Sequence, residues 1–313
     1  MIPVMMKVST KLKKIQEAAK LSQEAMARML GVSFPTLNSW ILDKSVPRSK
    51  HRERIDALYA KYFGTDSVDL DILQTKREEI DFKSKKYENV LSLILNRKDL
   101  RDSFDLSLTY NSNAIEGSTM TLHDTADVLF HDRAPRNRSV TEQMEAKNHS
   151  SAFQYLLDYL ARHRRVDEAL LLKLHAILMN GICEGPGSYR THQVRIVGSF
   201  VPTASFHNIP ARMDALFREY DFEHMNSEHL ARFHAEFEQI HPFSDGNGRV
   251  GRLLLHAGLL INNLPPAVIA QEHKGVYYKY LNKAQLQKEY YPLELFLCDA
   301  IMEGYKIIDG DVR

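Results

Sequence analysis

The chain has 313 residues, 44% hydrophobic and 26% charged, enough for one large domain or two modest ones around a sizeable core. Its two cysteines, Cys183 and Cys298, fall in no CxxC or Cys/His spacing, which argues against a disulfide framework or zinc site and for buried thiols in a reducing cytoplasm. The net charge of +1 hides an asymmetry, because residues 1–62 hold 12 Lys or Arg against 5 Asp or Glu. A basic head on an acidic body points to a polyanion as the head's partner. No apolar run approaches a membrane span, since "LLLHAGLLI" is too short and carries His256. The start, "MIPVMMKVSTKLKK", shows no apolar stretch followed by a cleavage site, so no export signal is expected.

The head contains "LSQEAMARMLGVSFPTLNSWILDKSVP" (21–47). Ser22 is placed to cap a helix, Gly31 to turn the chain, and Ser33 to cap a second helix with Pro35 in its first turn. Ala25, Met26, Met29, Leu30, Val32, Leu37 and Trp40 are spaced to pack two helices at a steep angle. Over residues 8–62 the segment resembles the lambda-repressor-like helix-turn-helix family. The resemblance implies DNA binding, with Gln23 on a phosphate and Phe34, Thr36 and Asn38 facing the major groove. Lys44, Arg48, Lys50 and Arg52 could then hold backbone phosphates. A helical packing module without DNA is the plainer alternative.

"YFGTDSVD" (62–69) reads as a boundary, dividing a head at 1–64 from a helical region at 65–165 and a catalytic core at 166–313. Beyond it, apolar residues recur every three or four positions in "VLSLILNRKDL", "MEAKNHSSAFQYLLDYLARH", "DEALLLKLHAILM" and "SEHLARFHAEFEQIH". Ser227 and Asp167 are candidate N-caps, and Gly181 a candidate stop. "TYNSNAIEGSTMTLHDT" (109–125) looks unlike a core helix, with Asn, Ser and Gly around a lone Glu116. The stretch 185–210, "GPGSYRTHQVRIVGSFVPTASFHNIP", breaks the helical habit and reads as a short β-hairpin flap. The class expected is therefore all-α with one hairpin.

The chemistry is concentrated in "HPFSDGNGRVGR" (241–252). Pro242 must end the preceding helix, leaving His241 on the rim of a loop. His241 is the side chain here that can accept a proton near neutral pH. Asp245 is a hard oxygen ligand suited to Mg²⁺ between two phosphates. The glycines let backbone N–H groups converge on an anion at the start of the next helix, whose buried side carries Leu253, Leu254, Ala257 and Leu260. Arg249 and Arg252, at i and i+3, share a face and can fork onto phosphate oxygens. Base, metal ligand, anion nest and arginine fork together describe phosphoryl or nucleotidyl transfer. There is no GxxxxGK[ST] loop and no HExxH.

The stretch resembles the Fic motif, His-Pro-Phe-x-Asp/Glu-Gly-Asn-Gly-Arg-x-x-Arg, at every fixed position, and the likeness extends over roughly residues 100–300. It implies a Fic-type helical core and transfer of AMP from ATP to a protein Ser, Thr or Tyr hydroxyl. His241 would deprotonate the acceptor and Asp245 would hold Mg²⁺. Gly246, Gly248 and the Asn247 side chain would form the anion hole. Arg249 would hold the β side and Arg252 the γ-phosphate, with Phe243 as a packing anchor. The hairpin corresponds to the family's target-docking flap, to whose edge an extended target would add as a strand. "VYYKYLNKA" (276–284) resembles the segment lining the nucleotide pocket, with Tyr277 or Tyr278 near the adenine or simply in the core.

Residues 112–117 resemble the Fic inhibitory motif, Ser/Thr-x-x-x-Glu-Gly/Asn. That resemblance pairs Glu116 with Arg252, removing the γ-phosphate clamp. Ser112–Gly117 can also be read as a plain helix end with Glu116 solvated. The expectation is an autoinhibited protein adenylyltransferase that uses ATP and Mg²⁺. Its acceptor lies on a protein target or on the chain itself, its head holds DNA, no membrane is involved, and a homodimer is left open. Two alternatives stand beside it: a deAMPylase using Glu116, and a DNA-binding regulator whose Fic core senses nucleotide.

Overall fold

A computed structural model describes residues 7–64, 70–196 and 198–310. Contacts divide the chain into two compact units, Met1–Ser67 with Glu272–Tyr280, and Val68–Gln271 with Leu281–Arg313. The proposed division at 165/166 falls inside the second unit. Part of the 62–69 boundary lies outside the described residues.

In the first unit, α1 (Val8–Ala19), α2 (Gln23–Leu30), α3 (Phe34–Ile41) and α4 (Ser49–Phe63) close over Leu12, Ile15, Met26, Leu30, Leu37, Trp40 and Ile55. The Ser22 hydroxyl accepts from Ala25 N–H at 3.2 Å, and Ser33 from Thr36 N–H at 3.4 Å, so both helices start where their caps predict. Gly31 turns the chain between them at φ +69°, a conformation that suits a residue without Cβ.

The second unit begins with α5 (Leu70–Ser84), α6 (Val90–Asn96), α7 (Lys98–Glu116), α8 (Leu122–Phe130), α9 (Val140–His163) and α10 (Glu168–Leu178). There follow α11 (Ile209–Glu219), α12 (Ser227–Ile240), α13 (Asn247–Ile261), α14 (Lys274–Gln287, whose first half belongs to the other unit) and α15 (Tyr291–Asp309). Helix α13 is the axis, packed by α6, α7, α9, α10 and α12. Leu253, Leu254, Ala257 and Leu260 are buried as expected, but so are Leu255, His256, Gly258 and Leu259. A helix enclosed by neighbours has no solvent face, which one-sided periodicity does not reveal. A Cβ on Gly258 would lie 2.5 Å from Leu230, so this glycine allows α12 its close approach.

Three local readings change. Asn226, not Ser227, caps α12, accepting from His229 N–H at 2.9 Å; the Ser227 hydroxyl instead donates to Glu294 at 2.6 Å. The 109–125 stretch is not outside the core: its first half is the last two turns of α7, with Thr109, Ser112, Asn113 and Ile115 buried. The expected hairpin forms no strand among the described residues of 185–210. Side chains hold it instead. Gln193 donates to the Thr203 hydroxyl at 2.8 Å, and that hydroxyl donates to the Val194 carbonyl at 2.8 Å. Asp167 caps α10 as expected, and Cys183 and Cys298 are free thiols. Among the described residues, no helix is long and apolar enough to cross a membrane.

Helix α9 starts in a capping box, where the Ser139 hydroxyl accepts from Glu142 N–H at 3.1 Å and the Glu142 carboxylate accepts from Ser139 N–H at 3.1 Å. The other Glu142 oxygen accepts from Thr119 N–H at 2.6 Å, which ties the loop after α7 to α9 and, with burial opposing, holds the carboxyl down at about 2. Ser139→Ala should cost about 1 kcal/mol. Urea denaturation checks this, and an unchanged midpoint would show the box to be irrelevant to stability.

Candidate active site

Helix α12 ends at His241, whose backbone takes φ +53° and ψ +61°, a left-handed turn that sends the chain into the loop. The Nδ1 of His241 lies 3.2 Å from the Glu238 carbonyl, which can only accept, so Nδ1 carries the hydrogen and Nε2 keeps its lone pair. Burial lowers the His241 pKa first; the Glu238 carbonyl, Glu116 and Asp245 oppose this, while Arg190 adds to it. The imidazole is therefore a neutral base at neutral pH. Arg190, not singled out from the sequence, fixes this turn. Its guanidinium donates to the carbonyls of His241 (2.8 Å), His192 (2.8 Å) and Ala204 (2.5 Å), and its N–H donates to Pro242 O at 3.0 Å.

The loop is closed from within. The Asn247 amide accepts from Phe243 N–H at 2.9 Å and donates to Phe243 O at 2.9 Å. The Asn247 side chain therefore braces the loop, while the second N–H of its amide is left over for the anion the sequence reading assigned to it. Gly246 is the N-cap of α13 at φ +77°, and a Cβ there would lie 2.7 Å from Met179 Sδ. Its N–H donates to the Asp245 carboxylate at 2.5 Å. No side chain caps α13, so the N–H groups that open it remain available to a ligand.

Asp245 is 64% exposed at the mouth of this nest. Among the described residues no cluster of three His, Cys, Asp or Glu side chains could enclose a metal. A lone open carboxylate nevertheless fits Mg²⁺, which keeps waters and is commonly held by one or two carboxylates together with substrate phosphates.

The two arginines are both deeply buried, each side chain 3% exposed. Arg249 donates to Glu145 on α9 at 2.8 Å and lies 3.8 Å from Asp245. Arg252 donates to the Ser112 hydroxyl at 2.9 Å, to Ser112 O at 3.0 Å and to Glu116 at 2.7 Å. The structure thus brings Glu116, the last residue of α7, onto the second arginine. The same carboxylate presses on the start of α13, where a Cβ on Gly248 would overlap its Oε1. Sequence reading missed Glu145; its acidic character and its place on the inner face of α9 were the available signals. Tyr277 is fully buried and offers no open ring face, whereas Tyr278 is half-buried.

The Fic/DOC family model matches residues 165–259. Those residues form a Fic domain. A protein named Protein adenylyltransferase Fic from Drosophila virilis is 32% identical over 202 residues, covering 61% of this chain and 40% of that one. The chain thus spans about two fifths of the length of the curated relatives it matches. A Fic family protein from Desulfovibrio desulfuricans is 26% identical with a TM-score of 0.61, covering 79% of this chain and 77% of that one. A Fic domain containing signaling protein from Bacteroides thetaiotaomicron shares the fold at 24% identity and a TM-score of 0.66, covering 76% and 99%.

Behind the site of the Fic domain lies a second carboxyl. Glu238 is buried beside Arg252, and its Oε1, packed against Gly251, has no hydrogen-bond partner among the described residues. Burial pushes it up to about 8, with Arg252 pulling it down and Glu116 pushing it further up. An acid that holds its proton more tightly when folded loses relative stability as pH rises from the ordinary carboxylate range to that raised value. Glu238→Gln, neutral at every pH, should gain Tm over wild type at about pH 8 and little at about pH 5. Equal Tm differences at the two pH values would place the carboxyl's titration elsewhere.

Proposed function

We propose that the chain is an autoinhibited protein adenylyltransferase, transferring AMP from ATP to a hydroxyl of a protein target or of itself. The observation that carries this reading is the convergence of His241, Asp245, the uncapped start of α13 and Arg252 around one loop. His241 Nε2 takes the acceptor hydroxyl's proton, and the freed oxygen attacks the α-phosphorus. The bond to the β-phosphate breaks and pyrophosphate leaves. Mg²⁺ at Asp245 would neutralise charge on the phosphates. The N–H groups opening α13 take phosphate oxygens, and Arg249, already neutralised by Glu145, stiffens that end of the helix.

Arg252 would clamp the γ-phosphate, and Glu116 restrains it. A guanidinium engaged at 2.7 Å by a carboxylate cannot also fork onto a phosphate, and the same carboxylate stands over Gly248 where an anion would enter. Glu116→Gly should raise AMP transfer about tenfold or more, and Arg252→Ala added to it should cancel most of the gain. His241→Ala should abolish transfer while ATP still binds. Labelled AMP transfer and ATP affinity, measured on one set of preparations, test all three. A well-folded Glu116→Gly protein no faster than wild type would overturn the brake.

The head is proposed to bind DNA. Lys44, Arg48, Lys50 and Arg52 are all exposed, and Phe34, at the start of α3, is 41% exposed. Neutralising the four cations together should weaken binding to any duplex and flatten its salt dependence, by a slope of about 0.9 for each phosphate left unneutralised. An unmodified protein without measurable DNA affinity at low salt would leave the head a packing module.

A further inference from the structure

His175, on α10, is not part of the motif, yet it touches two parts of the site. Its Nδ1 lies 2.8 Å from the Gly187 nitrogen, a backbone donor, so Nδ1 accepts. Its Nε2 lies 3.2 Å from the Asp245 carbonyl oxygen, so Nε2 carries the hydrogen. The two partners leave one neutral tautomer. The ring stacks flat on Phe243, with centroids 3.7 Å apart and planes within 5°. Phe243 is the residue whose backbone Asn247 brackets. Gly187 leads directly into Tyr189 and Arg190, and Arg190 holds both the His241 turn and the 192–204 segment. At φ +85°, Gly187 has no room for a Cβ beside Ala176, and this closeness brings its N–H within reach of the imidazole.

We propose that His175 is a positioning residue for AMP transfer, fixing the Asp245–Gly246 peptide against the base of the 185–210 segment. It touches neither nucleotide nor acceptor. By holding the Asp245 carbonyl it sets the direction of the Asp245 carboxylate and of the N–H groups that open α13. By accepting from Gly187 it ties that direction to the segment whose Arg190 holds the His241 turn. With both nitrogens engaged by the backbone, the ring has no lone pair for a metal. This role rests on the adenylyltransferase reading.

Three substitutions in the full-length Glu116→Gly protein separate the parts of this role. His175→Phe keeps the stack on Phe243 and removes both hydrogen bonds. His175→Asn places an acceptor near the Nδ1 position and nothing at Nε2. His175→Gln reaches the Nε2 position with an amide donor. If the Asp245 bond positions the loop, Phe and Asn should each lower kcat about tenfold or more with little change in KM for ATP, and Gln should recover most of the loss. A merely structural ring predicts that activity follows Tm, with Phe nearest the parent; that order would overturn the proposal, as would three variants matching the parent. A parent that transfers no AMP would instead overturn the adenylyltransferase reading and this role with it. Should the variants fail to fold, ¹⁵N NMR of the imidazole in the unsubstituted chain decides. An Nε2–H tautomer at His175 supports the proposal, and an Nδ1–H tautomer overturns it.

Discussion

Two guanidinium groups inside a helical core are the constraint on which the site depends. Arginine keeps its charge at any accessible pH, and a buried charge must be paired. Arg249 meets Glu145, and Arg252 meets Glu116 and both oxygens of Ser112. The other titratable groups around Arg252 favour their neutral forms: burial lowers His149, takes His234 and His256 down to about 3, and lifts Glu238 to about 8. The neighbouring histidines therefore add no repulsion, and Glu238 adds no full counter-charge. Glu116 supplies the negative charge, which gives this surface-facing end of α7 a structural task beside its proposed regulatory one.

Helix α13 turns that constraint into a site. Its first turn is uncapped and its first two turns carry the two arginines, while the rest of the helix is enclosed on every side. A helix so confined cannot slide or rotate to suit a ligand, so the direction of its opening N–H groups is set before anything binds. The loop ahead of it is equally fixed. The left-handed His241, the Asn247 bracket on Phe243 and the His175 stack each remove a freedom that an entering phosphate would otherwise have to restrain. Preorganised donors cost no reorganisation when charge develops, which is where such sites gain most.

Much of this was legible in the sequence, because it rests on local rules. Caps at Ser22, Ser33 and Asp167, the exit at His241 before Pro242 and the helical periodicities follow from neighbours a few residues away. What was not legible is tertiary. Burial of α13 on all faces depends on how many helices reach it, and Glu145 meets Arg249 across 104 residues of sequence. The Gly and β-branched residues of 185–210 suggested a hairpin, but Arg190 and Gln193 take carbonyls that a ladder would need. Asn247 shows the limit of reading a motif by chemistry alone. An amide beside a phosphate nest invites a ligand role, and only the fold reveals that Phe243 takes its oxygen and one of its two N–H groups.

The pairing of Glu116 with Arg252 also bears on how a brake of this kind can be released. Removing one partner of a buried ion pair costs about 3–5 kcal/mol, because the other charge is left without solvent or counter-charge. With Glu116 32% exposed, the cost here should sit at or below the low end of that range. On the proposed reading, a γ-phosphate arriving at Arg252 would replace the carboxylate's charge and offset that cost. Nucleotide and brake would then compete for one guanidinium, while the Ser112 contacts, which involve no charged partner, could hold the arginine's stem through the exchange. The same substitution that frees the clamp would leave a stranded charge in the empty protein, so gain of activity and loss of unliganded stability are two consequences of one broken pair.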